Sequence, residues 1–272
     1  MKLLLHYLKA YRLILFRQHA CPRGALLWAY TRLLVQAHWA GKRGSRHSGT
    51  QSILLFGKRL YFTSYIFLLY QFEEIFVLDC YRAKTAGEKR FIVDGGSHIG
   101  VSVLFFITAY PTASVLAFEP DPQAFHLLQL FVQQNKLHQV QLVNAALAAT
   151  AGTVSFYAHE ELGRLDAGTF TASAQTVALT VPTVQLSTYL TQPVDVLKLD
   201  IEGAEVPVIA ELVASQKISD IGELVLEFHP AINGEPAPFL SLLEQEGFQA
   251  TSTTSADLYE NTTDYLLHFT RR

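Results

Sequence analysis

Acidic residues and one histidine stand at the ends of apolar runs that have the length of buried strands. Asp94 ends FIVD, Glu119 ends VLAFE and Asp200 ends VLKLD. Glu227 and His229 end ELVLEFHP. If these strands are parallel, their carboxyl ends lie at one edge of a sheet, where open sheets bind ligands. We therefore expect these side chains to form the functional site.

The first of these runs continues into a glycine-containing loop, DGGSHIG at 94–100. Glycines let the backbone approach a ligand closely, and the amides of the next helix can bind an anion. The loop matches neither a Gly-x-Gly-x-x-Gly dinucleotide motif nor a phosphate loop. An acid before the glycines suits a ligand with both a positive charge and a carboxylate, such as S-adenosylmethionine. The alternative is a plain strand-to-helix turn, which would not need Asp94.

The second run ends Phe118-Glu119-Pro120, with its acid 25 positions after Asp94. A carboxylate at this strand end can accept hydrogen bonds from both hydroxyls of a ribose. Glu119 could instead be a solvated carboxylate or a partner for the dipole of the next helix.

The last two runs bring a third set of polar residues to the same edge, provided that their strands are neighbours. The set comprises Lys198, Asp200, Glu202, Glu227 and His229. Such a cluster can deprotonate a hydroxyl or hold a divalent cation, although no spacing here demands a metal. Alternatively, Glu205 only begins a helix and Lys198 pairs with an acid across the sheet.

The elements that must position these residues alternate between strands and helices from residue 91 onward. This alternation predicts an α/β fold with a mainly parallel sheet covered by helices on both faces. Asp121, followed by Pro122, predicts a helix start. The remaining predictions are a strand pair at 53–62 turning at Gly57-Lys58, a helix over 64–81, strands at 140–147, 194–200 and 223–228, a small antiparallel insertion before residue 194, and a C-terminal hairpin.

Charge divides the chain near residue 50. Residues 1–50 contain nine basic and no acidic residues, whereas residues 51–272 contain 12 basic and 24 acidic ones. We predict a basic amphipathic helical extension over 1–50 and one domain over 51–272. The extension either lies on an anionic membrane through residues 1–40 or packs on the acidic globule or a second subunit. An acidic globule disfavours nucleic acid as a partner.

Composition restricts the class of protein further. The 272 residues are 50 % hydrophobic and 17 % charged, which allows a large core and excludes disorder and coiled coil. Two cysteines cannot form a disulfide framework, so a reducing compartment is expected. We expect no membrane span and no secretion signal, because Lys9, Arg12 and Arg17 interrupt the first apolar run. The predicted location is the cytoplasm, with peripheral contact at the inner membrane surface as an option.

Six segments, taken in order, resemble the FkbM-type family of class I S-adenosylmethionine-dependent methyltransferases. They are EIFVLDCY (74–81), VDGGSHIG (93–100), AFEPDP (117–122), NAALAATAGTVSFY (144–157), LKLDIEGAE (197–205) and EFHP (227–230). One departure is His98, which stands where the family usually has Asn.

The resemblance implies a Rossmann-like sheet of seven strands with an antiparallel C-terminal hairpin, and methyl transfer to a hydroxyl of a sugar, glycan or natural product. Asp200 would lie nearest the reactive methyl, and Asp200 or His229 could accept the hydroxyl proton. The residues expected around the cofactor are Asp94, Gly95, Gly96, Ser97, His98 and Gly100 in the methionine loop, Glu119 and Pro120 at the ribose, and Asn144 and Ala145 at the adenine.

Two other functions are weighed against methyl transfer. A nicotinamide-dependent dehydrogenase lacks its glycine motif here, and no Tyr has a Lys four residues later. A non-catalytic scaffold with a partner-binding arm would not need the acids at 94, 119 and 200. The sequence leaves open the methyl acceptor, the general base, any metal requirement and homo-oligomerisation.

Overall fold

Two helices and a hairpin precede the main sheet of this computed structural model, which describes residues 2–42, 49–159, 176–254 and 265–272. They are α1 (Lys2–Phe16), α2 (Arg23–Lys42), β1 (Gln51–Leu55) and β2 (Lys58–Phe62). The hairpin turns at Phe56 and Gly57, both with positive φ (49° and 74°), so the turn predicted at Gly57-Lys58 is wrong by one residue.

The predicted helix over 64–81 is shorter and less regular than expected. It consists of α3 (Tyr65–Phe72) followed by a π-helical turn over Glu73–Val77. A π-helical turn inserts one residue into the helical repeat and is common at functional sites. Cys80 and Tyr81 lie beyond the helix, in a turn that leads toward the sheet.

The rest of the chain contains the main sheet and its covering helices. In order, the elements are β3 (Phe91–Gly95), α4 (Val101–Ala109), β4 (Ser114–Phe118), α5 (Pro122–Gln134), β5 (Val140–Val143), β6 (Ala146–Leu147), β7 (Gly152–His159), β8 (Thr176–Val184), β9 (Val194–Leu199), α6 (Glu205–Ala214), β10 (Ile221–Phe228), α7 (Pro230–Asn233), α8 (Pro236–Gln245), β11 (Phe248–Thr254) and β12 (Tyr265–Arg271).

The seven-stranded sheet has the order β11-β12-β10-β9-β3-β4-β5. The five strands from β10 to β5 are parallel, whereas β12 is antiparallel to both of its neighbours. The chain builds β3, β4 and β5 toward one edge and then returns to the other side of β3 with β9. This reversal between β3 and β9 is the switch point at which such sheets bind ligands.

Four local predictions can be compared with these elements. The Asp121 side chain caps α5 by accepting from the Gln123 amide at 2.8 Å, as predicted. The insertion and the C-terminal hairpin are also confirmed, since β7 pairs with β8 and β11 with β12, both antiparallel. The single strand predicted over 140–147 is wrong, because β5 belongs to the main sheet and β6 pairs with β8.

Alternate side chains of the strands face two hydrophobic clusters, one on each side of the sheet. On one side, Ile92 and Val115 pack with α4 and α5, while on the other side Val93 and Leu116 belong with α6 and α8. The first cluster also includes Ala10 and Tyr30 of the N-terminal helices. The N-terminal helices α1 and α2, called the arm below, therefore pack into the same hydrophobic core as one face of the sheet. The division into an extension over 1–50 and a domain over 51–272 stays a prediction.

One buried carboxylate joins the N-terminal helices to the π-helical turn. Glu73 is fully buried. It accepts hydrogen bonds from the Tyr30 hydroxyl at 2.5 Å and pairs with His6 Nε2 at 2.8 Å. Because the same turn carries residue 74 toward the sheet edge, the arm is coupled to the site described below.

We expect Tyr30→Phe to lower the free energy of unfolding by about 1.5–3 kcal/mol, because it removes a hydrogen bond to a buried charged group. Tyr11→Phe is the matched control, since it removes a hydrogen bond to Thr31 Oγ1 at an exposed position. That change should cost about 1 kcal/mol or less. Denaturant unfolding measures both values, and equal small losses would show that Tyr30 does not hold the turn.

Candidate active site

The loop after β3 is held against β9 so closely that one position admits only glycine. Gly96 has φ +80°, and a Cβ placed there would lie 1.8 Å from the backbone oxygen of Asp200. His98 also has positive φ, 46°. Histidine is among the residues enriched in this conformation, together with Asn, so the departure from the family pattern at this position is conformationally mild.

The side chain of His98 extends the loop toward α3. Its Nδ1 lies 2.9 Å from Gln71 Nε2, which donates to the neutral ring. Burial is the main cause that lowers the pKa of His98 to about 4. The nearby charges have smaller effects, since Asp200 raises this pKa and Lys198 lowers it. His98 is therefore uncharged at neutral pH.

Glu119 holds the loop from the neighbouring strand end. Its Oε2 accepts from the His98 amide at 2.7 Å, and its Oε1 accepts from the Asp121 amide at 2.8 Å. Burial raises the pKa of Glu119 to about 8, although the two amides oppose the shift. The group is therefore largely protonated at neutral pH, and besides its two amide bonds it keeps an O–H donor and remaining acceptor capacity for a ligand.

A small cleft lies between this loop and the segment after β5. Its space, about 270 Å³ when the solvent at its open side is included, has walls of small or apolar residues, namely Gly96, Phe118, Pro120, Ala145, Ala146, Leu147, Ile201 and Ala204. Asn144 shapes the wall by donating from Nδ2 to the backbone oxygens of Glu119 at 2.8 Å and Pro120 at 3.3 Å. Of the residues predicted beside the adenine, Ala145 lines the cleft and Asn144 supports it.

Asp94 and Lys198 form a buried ion pair beneath the loop. Lys198 Nζ lies 3.2 Å from Asp94 Oδ1 and donates to the backbone oxygens of Gly95 at 3.0 Å and Gly96 at 2.6 Å. Ser102 Oγ donates to the other carboxylate oxygen of Asp94 at 2.6 Å. The alternative that Lys198 pairs with an acid across the sheet is confirmed. Direct contact of Asp94 with a ligand stays a prediction, because its carboxylate is fully buried here.

Asp200 follows β9 and faces the open edge. Its Oδ2 accepts from the Tyr81 hydroxyl at 3.1 Å and lies 3.5 Å from Lys198 Nζ. Burial would raise the pKa of Asp200, but Lys198, His229 and hydrogen bonds from Glu227 and Tyr81 outweigh burial and lower it. Asp200 is therefore ionised at neutral pH.

Two further carboxyl groups are electrostatically coupled to Asp200. Burial and the charge of Asp200 raise the pKa of Glu74 to about 7, with Lys198 opposing the shift. Burial, followed by Asp200 and Glu74, raises the pKa of Glu227 well above its usual range. Glu74 can therefore hold or release a proton near neutral pH, whereas Glu227 tends to keep its proton.

Sequence reasoning missed Glu74 and Tyr81 as site residues. Both lie in the segment EIFVLDCY (74–81), but nothing in the sequence places either of them near Asp200. The available signal was the pair of acids at 73 and 74 within an otherwise apolar helix. Buried acids rarely occur without partners, so two adjacent acids in an apolar helix indicate that each has a polar partner elsewhere in the fold.

His229 lies between two carboxylates on the far side of the cluster. Its Nδ1 is 3.5 Å from Glu205 Oε1, and its Nε2 is 3.5 Å from Glu202 Oε2. Burial lowers the pKa of His229, but Glu205, Glu202 and Asp200 outweigh burial and raise it to about 9. Protonated at neutral pH, His229 can donate a proton but not accept one.

Glu205 begins a helix, as the alternative interpretation of this residue predicted. It begins α6, and its Oε1 accepts from the amides of Ile201 and Gly203, each at 3.1 Å.

Parallel pairing of β9 with β10 confirms the condition for the cluster, namely that these strands are neighbours. Among the residues that the structure describes, no group of three His, Cys, Asp or Glu is arranged to hold a metal ion.

The strand order, the antiparallel β12 and the ligand edge at β3 and β9 define the class I methyltransferase fold. A model of the methyltransferase FkbM domain matches residues 94–250, which is more than half of the chain. The chain belongs to the FkbM methyltransferase family, and it is a methyltransferase.

Two curated relatives carry corresponding names. The chain is 29 % identical over 198 residues to Methyltransferase 1 of Beauveria bassiana, covering 65 % of this chain and 79 % of that protein. It is 29 % identical over 214 residues to Methyltransferase sdnD of Sordaria araneosa, covering 66 % and 82 %. Methyltransferase FkbM from Methylobacillus flagellatus is a similar solved structure, with 15 % identity, a TM-score of 0.48, and coverage of 69 % of this chain and 44 % of that one.

Proposed function

We propose that this methyltransferase uses S-adenosylmethionine and methylates a hydroxyl oxygen of a sugar, glycan or natural product. The observation that carries the proposal is the meeting of three features at one sheet edge. These are the close-packed glycine loop after β3, the cleft beside Glu119, and the carboxyl cluster around Asp200.

Three features of the cleft and its surroundings support S-adenosylmethionine as the cofactor. Its small and apolar walls suit an adenine, and the Glu119 carboxyl keeps hydrogen-bonding positions for the ribose hydroxyls. Gly96 holds the loop backbone against the backbone of Asp200, and Gly96 also lines the cleft, so the loop lies beside the place proposed for the cofactor. The ionised Asp200 supplies a negative charge toward the place where a sulfonium would lie.

When bound, S-adenosylmethionine supplies a methyl group on a positively charged sulfur. Because the transfer is an in-line displacement, the main task of the protein is to align the acceptor oxygen. The cluster then has to remove the proton of the hydroxyl, a contribution of about 10²–10⁴-fold.

The electrostatics favour a carboxylate over His229 as the base. His229 is already protonated at neutral pH, and the low pKa of Asp200 makes Asp200 a weak acceptor. Glu74 has a pKa of about 7, which suits proton transfer near neutral pH. We therefore assign Glu74 as the base, with Tyr81 and Asp200 positioning the acceptor hydroxyl beside it.

The experiment that tests the cofactor is titration calorimetry with S-adenosylmethionine and, separately, with NAD. Heat of binding from the first ligand alone supports the proposal. Binding of NAD alone, or of neither ligand, would contradict the proposed cofactor. Transfer of labelled methyl to hydroxyl compounds tests the acceptor class, and exclusive labelling of amines would contradict it.

We expect Glu119→Ala to weaken S-adenosylmethionine binding by about 5- to 150-fold, because a buried ligand hydroxyl left without its hydrogen-bond partner costs about 1–3 kcal/mol. Calorimetry measures the loss. Glu223→Ala is the matched control, since Glu223 is also buried but pairs with Lys89 at the opposite end of β10. Equal losses in the two variants would show a general effect on folding, and the ribose assignment of Glu119 would be wrong.

A further inference from the structure

The exposed apolar side chains of this protein are concentrated on its first three helices. Among the residues that the structure describes, ten of the twelve large hydrophobic side chains with high exposure lie between Leu4 and Tyr70. Phe16 is 80 % exposed. A monomeric surface rarely leaves so many large apolar groups together, and such patches commonly mark an interaction site.

On α1 these side chains occupy one face. Leu4, Leu8 and Leu15 follow one row at helical spacing, with Leu5 and Phe16 beside it, and all five are exposed. The opposite face carries Ala10 and Ile14, which are fully buried in the core. The helix is therefore apolar on two sides, and only one side is used by the fold.

The second helix extends this surface. Trp28, Val35 and Trp39 are exposed on one face of α2, and the Arg32 guanidinium lies 5.0 Å from the centre of the Trp28 ring. A hydrogen bond of 2.9 Å between the Tyr11 hydroxyl and Thr31 Oγ1 joins the two helices beside these faces. Exposed tryptophans next to basic side chains are typical of proteins that lie at a membrane–water interface.

The charge of residues 1–50 indicates which kind of partner binds this surface. Residues 1–50 contain nine basic and no acidic residues. A second copy docking face to face would place basic arm against basic arm, whereas an anionic bilayer offers both opposite charge and an apolar interior. We propose that α1 and α2 bind an anionic lipid membrane, with the exposed leucines, Phe16 and the tryptophans inserted at its surface.

This binding would be peripheral. No helix in the described part of the chain is long and apolar enough to cross a bilayer. The inner faces of α1 and α2 already contact the core, so the helices can lie flat on the membrane while they stay folded on the protein.

The test is cosedimentation of the full-length protein with phosphatidylserine-containing vesicles and with pure phosphatidylcholine vesicles. We expect binding to the anionic vesicles that weakens at high salt, and weak binding to the neutral ones. Leu8→Ser and Phe16→Ser should each weaken binding by about tenfold, because each removes an apolar side chain from the lipid. Arg12→Gln should weaken binding about fivefold.

Val177→Ser and Tyr265→Ser are matched controls, since both replace exposed apolar residues outside the arm. They should bind like the wild type, and the thermal midpoint of every variant should be retained because the positions are exposed. Absence of vesicle binding by the wild type, or equal binding by all variants, would overturn the proposal. A dimer that Leu8→Ser abolishes, without any vesicle binding, would identify a second copy as the occupant.

Discussion

Gly96→Ala is expected to abolish S-adenosylmethionine binding and to lower the free energy of unfolding by about 3 kcal/mol or more. The new Cβ would lie 1.8 Å from the backbone oxygen of Asp200, a distance that requires the backbone to move. Overpacking of this kind costs about 1–3 kcal/mol, and a left-handed alanine costs about 1–2 kcal/mol more. The displaced strand end would also move Asp200 and the loop that must contact the ligand.

Gly57→Ala is the control that separates the cost of overpacking from the cost of a left-handed alanine. Gly57 has φ +74°, close to the φ of +80° at Gly96, but no atom lies within 4 Å of a Cβ placed at Gly57. Gly57→Ala should therefore show only the conformational cost of about 1–2 kcal/mol and bind the cofactor like the wild type. Denaturant unfolding and calorimetry on both variants measure the difference. If Gly96→Ala behaved like Gly57→Ala, the close contact between β3 and β9 would not be essential.

The parallel sheet and its ligand edge could be predicted because strand ends carry local signals. Asp94, Glu119 and Asp200 each follow a buried apolar run, and the cap at Asp121 uses a backbone amide two residues away. Signals of this kind depend on neighbours in sequence. Strand pairing then brings the ends together, and β9 is the neighbour of both β3 and β10.

Features that depend on tertiary contacts were not predicted. The apolar run at 140–147 reads as one strand, but the side chain of Asn144 bonds back to the Glu119 carbonyl and the chain leaves the sheet there. The π-helical turn over Glu73–Val77 has no periodic signal of its own. It directs Glu73 toward Tyr30 in the arm, while Glu74 is coupled to Asp200. Adjacent acids in the sequence therefore serve different parts of the fold.

The role of His229 illustrates the same limit. From residue type alone, a histidine at a strand end is a good candidate for a base. Its two ring nitrogens lie 3.5 Å from the carboxylates of Glu202 and Glu205, and these charges raise its pKa to about 9. A pKa of about 9 keeps the proton on His229 at neutral pH, which supports our proposal that a carboxyl group is the base.

Glu74→Gln should lower kcat for methyl transfer by about 10²–10⁴-fold, because glutamine cannot accept the hydroxyl proton. Cofactor affinity should change little, since Glu119 and the glycine loop are untouched. Glu211→Gln is the control for loss of a buried carboxylate, because Glu211 lies on α6 and accepts from the Ser187 amide. That variant should retain its kcat.

The pH profile distinguishes Glu74 from the other members of the cluster. A base must be deprotonated, so the rate of the wild type should rise with pH through about 7, the pKa of Glu74, and level off above it. In Glu74→Gln this rise should disappear. If the rise instead persisted in Glu74→Gln and disappeared in Glu227→Gln, the proton would go to Glu227. Because Asp200 is ionised throughout this range, Asp200→Asn should reduce the rate without removing the rise.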